Sequence, residues 1–118
     1  MDAILEGKAR ELARAIGESA EIAEMRRLKD AAYEDETNAR LLVEYQRLQL
    51  RLQRGMLTGD PPDNEDMQRF QRIASLLMMS PHAQAFLLSQ MRVQQTIGAI
   101  IQIVSDAADF PLSNWLEH

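Results

Sequence analysis

Apolar residues recur at helical spacing along almost the whole chain, and no segment alternates apolar and polar residues over the length of a strand. This pattern excludes a sheet-based core and predicts an all-α fold. Capping and turn residues divide it into about five helices. The first three are expected at residues 2–16, from 19 to the acidic run 34–36, and from a cap at Asp35 or Thr37 to 57. A fourth begins at a cap on Asp63 or Asn64, and a fifth runs from 81 to 109. The one clear loop is 58–63, where two prolines cannot continue a helix.

The third predicted helix has apolar residues on two faces. One face consists of Leu41, Tyr45, Leu48 and Leu52, and the nearly opposite face of Val43, Leu50 and Leu57. A helix that rests on a single core needs only one apolar face. The second face therefore indicates contacts on both flanks, either within a bundle or across a subunit boundary.

The fifth predicted helix shows the same excess of apolar residues. Its heptad-like positions are Phe86, Val93, Ile97, Ile100 and Val104. The helix would be ~43 Å long, whereas a compact domain of this size has a radius of gyration of ~13–14 Å. We therefore expect an antiparallel helical hairpin or bundle with an overhanging C-terminal helix. We also expect a homodimer whose seam combines these five residues with Val43, Leu50 and Leu57. A monomer whose fifth helix folds back or bends is the alternative.

Composition and charge restrict the number of domains, the cellular location and the class of partner that we expect. It has 118 residues, no cysteine, 13 Lys and Arg against 18 Asp and Glu, and a formal net charge of −5. We expect one domain over residues 1–115, with 116–118 either a remnant of an expression tag or a native terminus. Without a signal peptide or a membrane-length apolar run, we expect a cytoplasmic protein with no membrane partner. The acidic balance argues against a protein that coats duplex nucleic acid.

No residue pattern in the sequence points to catalysis or to a cofactor. Without cysteine there is neither a thiol nucleophile nor a cysteine-built metal site. Carboxylate-bridged metal sites in helical bundles use Glu-x-x-His, which is missing, and His82 fits an ordinary surface position. Ser80 is explained as the N-cap of the fifth helix rather than as a nucleophile. We therefore expect no catalytic residue, metal or cofactor, and an enzyme is the weakest of three hypotheses.

Arginines form the one basic feature of the chain. Arg40, Arg47, Arg51 and Arg54 fall within about 60° of one another on the third helix. Arg69 and Arg72 would lie near them if helices three and four pair as a hairpin. These six residues are the candidate partner-binding face, which could contact an acidic protein or RNA phosphates. A solvated helix face balanced by Glu44 and Asp66 is the third reading, and no aromatic residues interleave to stack single-stranded bases.

Three stretches of the chain resemble those of a known family in their order, in the position of the loop between them and in overall length. They read ARELARAIGESAEIAEMRRLKDA, NARLLVEYQRLQLRLQRGMLTGD and MMSPHAQAFLLSQMRVQQTIGAIIQIVSDA. The second resembles the motif D-x-x-A-x-x-L-(I/L)-x-x-(F/Y)-x-x-(L/V)-Q through Asp35 or Glu36, Ala39, Leu42, Tyr45, Leu48 and Gln49. The third resembles a Pro-x-x-x-x-(Y/F)-L helix through Pro81, Phe86 and Leu87. Together they resemble the YlbF/YmcA family of small helical bacterial proteins over nearly the whole chain.

The resemblance implies a cytoplasmic regulatory protein without catalytic residues. Relatives act in competence, sporulation and biofilm control, and as partners of ribonuclease Y in RNA processing. Some relatives bind iron–sulfur clusters through cysteines, a cofactor that cannot carry over to this cysteine-free chain. The chain looks closer to the cysteine-free, YheA-like branch of the family. The leading hypothesis is a homodimeric interaction protein with an unidentified protein partner, and the alternative is an RNA-associated factor that uses the arginine face.

Overall fold

A computed structural model of the chain describes residues 1–109, which form five α-helices joined by short turns. The helices are α1 (Ala3–Gly17), α2 (Ala20–Tyr33), α3 (Glu36–Thr58), α4 (Asn64–Met78) and α5 (Pro81–Ala107). Residues 1–109 contain no strand, so the predicted all-α class is confirmed. The predicted tag remnant at 116–118 lies outside the described residues. Within them, every helix is too short or too polar to cross a lipid bilayer.

Four of the helices begin where a polar side chain accepts a hydrogen bond from the first turn. The carboxylate of Asp2 accepts from the backbone N–H of Ile4 at 2.8 Å, and that of Asp35 accepts from Asn38 at 3.0 Å. Ser19 and Asp63 occupy the same position at the start of α2 and α4. These caps satisfy N–H groups that have no partner inside the helix. Capping residues in the sequence therefore predict where the helices begin.

Ser80 departs from its predicted role. It stands at the N-cap position of α5, but among residues 1–109 its side chain accepts no bond from the helix that follows. Instead, the Asn38 side-chain amide donates to the Ser80 hydroxyl at 2.8 Å. Pro81 at the first helical position lacks an N–H, which leaves fewer donors there to cap. The Ser80 hydroxyl therefore ties the start of α3 to the start of α5.

Two glycines shape the end of α3. Gly59 has the left-handed backbone conformation (φ 75°) that favours glycine at a helix end. The backbone N–H of Asp60 donates to the Gly55 carbonyl at 2.8 Å. A Cβ on Gly55 would lie only 2.6 Å from the Asp60 carbonyl oxygen, so the turn needs glycine there as well.

Four of the five described helices pack as two antiparallel pairs, α3 with α4 and α2 with α5. In the α3–α4 hairpin, the Tyr45 ring stacks on Phe70 with centroids 4.8 Å apart, which confirms the predicted pairing. Helix α2 runs antiparallel to α5: the Tyr33 ring meets Phe86 edge-on at 6.3 Å, and the Thr96 hydroxyl donates to the Glu21 carboxylate at 2.8 Å. The radius of gyration is 17.1 Å, above the ~13–14 Å of a compact domain of this length, because the long helices extend beyond the core.

The core lies at one end of the molecule, where the end of α2, α3, α4 and the start of α5 meet. Its buried apolar members are Ala32, Leu42, Leu48, Ile73, Leu77, Ala83, Phe86 and Leu87. Phe86 is only 1% exposed within a single chain. Its place in the predicted dimer seam is therefore wrong, because a side chain buried in its own core has no surface to offer a second chain.

Candidate interaction surfaces

Helix α1 and the distal part of α5 frame an apolar groove beside the core. We call it the α1–α5 groove; it is lined by Leu12, Ala15, Ile16, Ser19, Glu21, Ile22, Val93, Thr96, Ile97 and Ile100. Val93, Ile97 and Ile100 were predicted for the dimer seam, and each is half-buried. The structure thus gathers three seam residues on one surface and adds α1 side chains that the seam did not include.

Helix α1 itself is held at few points. None of its residues is buried by the rest of the described chain, and Leu5 and Leu12 are 62% and 40% exposed. Its polar face is satisfied internally, since Arg10 pairs with Glu6 at 2.8 Å. An isolated helix of about 15 residues is marginal in water, because most helical stability comes from packing an apolar face. Within residues 1–109, the apolar side of α1 is therefore left largely exposed.

The remaining predicted seam residues do not join this groove. Val104 lies further along α5 and is 55% exposed. Val43, Leu50 and Leu57 lie on the outer side of α3, 46%, 58% and 75% exposed. The groove lining contains no α3 residue, so the predicted seam divides between two separate surfaces and the core.

The six arginines of the predicted partner-binding face also divide. The Arg51 guanidinium reaches the Asp66 carboxylate at 3.3 Å, and Arg69 pairs with Glu44. Both pairs connect α3 to α4, so these two arginines fasten the hairpin. Arg72 lies on α4 beside Glu65 and Arg69 in a small polar hollow.

Three arginines of α3 are left without such a role. Arg40, Arg47 and Arg54 are exposed, and within residues 1–109 their side chains form no ion pair or hydrogen bond. Arg40 and Arg47 border a shallow surface together with Val43, Tyr33 and Arg69. Their charges are therefore not neutralised by an ion pair within the described part of the chain.

These arginines and the outer apolar residues of α3 belong to one surface. Arranged by position they read Arg40, Val43, Arg47, Leu50, Arg54 and Leu57, with alternating spacings of three and four. That spacing keeps side chains on one face of a helix. We call this set the α3 outer stripe. The sequence pattern could have shown it, but reading charge and hydrophobicity separately assigned its members to two different faces.

One ion pair and one tyrosine of the described residues have perturbed pKa values. On α2 the Arg27 guanidinium lies 2.6 Å from the Glu24 carboxylate. Their hydrogen bond lowers the pKa of Glu24 and raises the pKa of Arg27. Partial burial raises the pKa of the Tyr33 phenol by disfavouring its charged form. These shifts follow from one surface pair and one half-buried ring, and they mark no reactive cleft.

Metal-binding potential can be assessed for the described residues. Among residues 1–109, no three or more His, Asp or Glu side chains converge as metal ligands would. His82 is exposed at the start of α5.

Similarity to known proteins agrees with this architecture. A "UPF0342 protein" of Caldicellulosiruptor saccharolyticus is 26% identical over 99 residues, covering 84% of this chain and 82% of the relative. A "UPF0342 protein" of Clostridium tetani is 26% identical over 106 residues, covering 90% and 91%. The solved structure of a "Protein of Unknown Function (DUF964) from Bacillus stearothermophilus" is similar with a TM-score of 0.74 at 22% identity, over 89% of this chain and 92% of that one.

A family comparison defines the relationship. The family described as "Control of competence regulator ComK, YlbF/YmcA" matches residues 5–108. That span includes all of α2, α3, α4 and α5 and most of α1. Placement in the cysteine-free YheA-like branch stays a prediction. Because the match extends over nearly the whole chain and the solved relative has the same fold, the protein belongs to the YlbF/YmcA family.

Proposed function

We propose that the protein is a non-enzymatic regulatory adaptor that acts through protein–protein contacts. The observation that carries the proposal is the amount of apolar side chain left uncovered on α1 and distal α5. Exposed apolar surface of this kind, framed by polar residues, is typical of sites that bind other proteins. The family description, control of a competence regulator, supports a regulatory role.

Self-association is the first contact that we propose. In a homodimer, the α1–α5 grooves of two copies would cover each other, with Leu12 and Ile97 entering the partner chain's groove. Two features support this arrangement: α1 has no buried residue within the described chain, and the groove is almost entirely apolar. Mutual coverage would supply the packing that a marginal helix requires.

Light scattering on purified protein tests the dimer. We expect a dimer mass at micromolar concentration for the wild type and a monomer mass for Leu12→Asp, which places a charge in the groove. Leu76→Asp is the matched control, because Leu76 on α4 is similarly exposed (47% against 40%) but lies outside the groove. A monomeric wild type, or equal effects of both variants, would refute self-association through this groove.

Capture from cells of the source organism tests the adaptor role. A tagged chain, cross-linked before lysis, should retain a second protein in near-stoichiometric amount, and Leu76→Asp should retain it equally well. Recovery of the chain alone from cells under several growth conditions would contradict the proposal. If a partner is captured, its level and activity should be compared between wild-type cells and cells that lack the gene for this chain. A difference would show that the chain regulates the partner.

An RNA-associated role is the second candidate. It is favoured by the three α3 arginines that have no ion pair within residues 1–109. Phosphate contacts by Arg would make binding fall steeply with salt. Charge reversal by Arg47→Glu should weaken RNA binding under this reading, and unchanged retention of labelled RNA would reject it.

A further inference from the structure

We propose that the α3 outer stripe binds an acidic amphipathic helix of a partner protein. This inference rests on the adaptor function proposed above and names the surface and the partner chemistry. The stripe runs from Arg40 to Leu57, a distance of ~26 Å along the helix axis. It is thus long enough to pair with about five turns of a second helix.

The aliphatic residues of the α3 outer stripe are exposed and regularly spaced. Val43, Leu50 and Leu57 recur every seven residues, and their exposure increases from 46% to 58% and 75% along α3. A heptad repeat of aliphatic residues is the pattern by which one helix recognises another. Since α4 packs on a different side of α3, through Tyr45 and Phe70, the part of the chain that the structure describes leaves this line uncovered.

The arginines of the α3 outer stripe indicate the charge of the partner. Arg40, Arg47 and Arg54 alternate with the aliphatic residues, and no carboxylate of residues 1–109 pairs with them. The nearest acids on α3 are Glu36, one turn before Arg40, and Glu44, which is engaged by Arg69. The stripe is therefore locally cationic although the whole chain carries a net charge of −5.

A partner helix with carboxylates between its aliphatic residues would satisfy both the arginines and the aliphatic residues of the stripe. Guanidinium groups bind carboxylates through paired hydrogen bonds, and their aliphatic stems add to the covered apolar area. A second copy of this chain fits less well, because two facing stripes would place arginines together without carboxylates and bury unpaired charge. RNA fits less well too, because phosphates leave the aliphatic residues unused and no aromatic side chain stands on the stripe to stack bases.

Binding of a designed peptide provides the first test. The probe is a fluorescent helical peptide of about 18 residues with leucine at every seventh position and glutamate between the leucines. The control peptide has lysine in place of each glutamate. We expect the acidic peptide to bind the full chain with fluorescence anisotropy reporting saturation, and the basic peptide to bind at least about tenfold more weakly.

Variants of the chain locate the binding surface. Arg47→Glu and Leu50→Asp should each weaken acidic-peptide binding about tenfold or more, equivalent to about 1.4 kcal/mol. Arg72→Glu and Leu76→Asp are the matched controls on α4 and should change it less than about twofold. Circular dichroism confirms that each variant is folded. Because all four sites are exposed, we expect the helical spectrum to be retained.

Each contrary outcome has a definite meaning. Equal binding of the acidic and basic peptides, no saturation of the acidic peptide, or equal loss in the stripe and control variants would overturn the stripe proposal. Salt-sensitive binding of a labelled single-stranded RNA that Arg47→Glu abolishes, without peptide binding, would replace it with the RNA reading. If cellular capture persists in Leu50→Asp, the stripe proposal fails while the adaptor role stands; if no variant or wild type captures a protein, the adaptor role itself fails.

Discussion

The two ends of the molecule have the same kind of apolar periodicity but differ in how it is used. At the packed end, α3, α4 and the first turns of α5 bury Leu42, Leu77 and Phe86 almost completely. At the open end, α1 and distal α5 expose Leu5 and Ile103 by 62% and 69%. Helical spacing therefore shows which residues share a face, whereas burial requires another element opposite that face.

The difference arises from how the helices connect. The 58–63 loop folds α4 back on α3, and α2 packs antiparallel to α5, so four elements converge at one end. Helix α1 belongs to neither of these antiparallel pairs and contacts mainly α2. The open end is consequently the part of the described fold with the most exposed apolar side chains.

Truncation of core and peripheral side chains should separate the two ends most strongly. Phe86→Ala leaves a cavity in the core and should lower the free energy of unfolding by about 3–5 kcal/mol. Ile103→Ala, at a residue 69% exposed, should change it by no more than about 0.5 kcal/mol. Urea denaturation followed by circular dichroism measures both. Comparable losses would mean that the open end is already covered in solution.

Two glycine substitutions should change the free energy of unfolding in opposite directions. Gly55→Ala forces its Cβ to within 2.6 Å of the Asp60 carbonyl oxygen, and we expect a loss of about 1–3 kcal/mol. Gly98→Ala meets nothing within 4 Å among the described residues and should gain about 0.4–1 kcal/mol. Thermal melts at low and high protein concentration provide the comparison. A loss in Gly98→Ala that grows with concentration would place a second chain against distal α5.

Double-mutant cycles should show that polar links are stronger at the packed end. The partly buried bond from Asn38 to Ser80 should couple by about 1 kcal/mol. In the Leu12→Asp background, which we expect to be monomeric, the exposed bond from Thr96 to Glu21 should couple by less, about 0.5 kcal/mol. Alanine at each position, singly and in pairs, provides the two cycles. Stronger coupling at Thr96 would indicate that the groove is shielded from water.

The smallest effect concerns pH. Burial raises the pKa of Tyr33 above the ordinary tyrosine value, so the folded state holds the phenolic proton more tightly than the unfolded state does. The corresponding stability is present below a pH of about 10 and is lost as the pH rises through the folded-state pKa. Absorbance titration of Tyr45→Phe, which leaves Tyr33 as the chain's one tyrosine, should show late ionisation. Tyr33→Phe should remove this part of the alkaline loss, and an unchanged loss would contradict the assignment.

Prediction from the sequence succeeded where the signal is local. Asp35 and Ser19 act as caps, Gly59 ends α3 with a positive φ, and Tyr45 faces α4 as the hairpin requires. It failed where two elements had to be placed relative to each other. Phe86 fits a heptad with Val93, yet the end of α2 and the start of α5 enclose it, with the Tyr33 ring against its edge.

The arginine face shows the same limit. Arg51 and Arg69 cannot be distinguished from Arg47 by spacing, because all are exposed cations on helices that pair. Only the juxtaposition of α3 with α4 brings Asp66 to Arg51 and Glu44 to Arg69. The charges that stay available are those on the side of α3 away from α4, a property of the pairing rather than of the pattern.

The sequence by itself determined the five helices, their ends and the residues that share each face, because hydrogen bonding, capping and the 3.6-residue period act over a few positions. It also determined the alternation of arginine and aliphatic residues from Arg40 to Leu57. Only the tertiary structure decided, for residues 1–109, which apolar faces are covered and which arginines are neutralised by ion pairs. The reason is that burial and ion pairing depend on residues distant in the chain, whose approach is set by how whole helices pack.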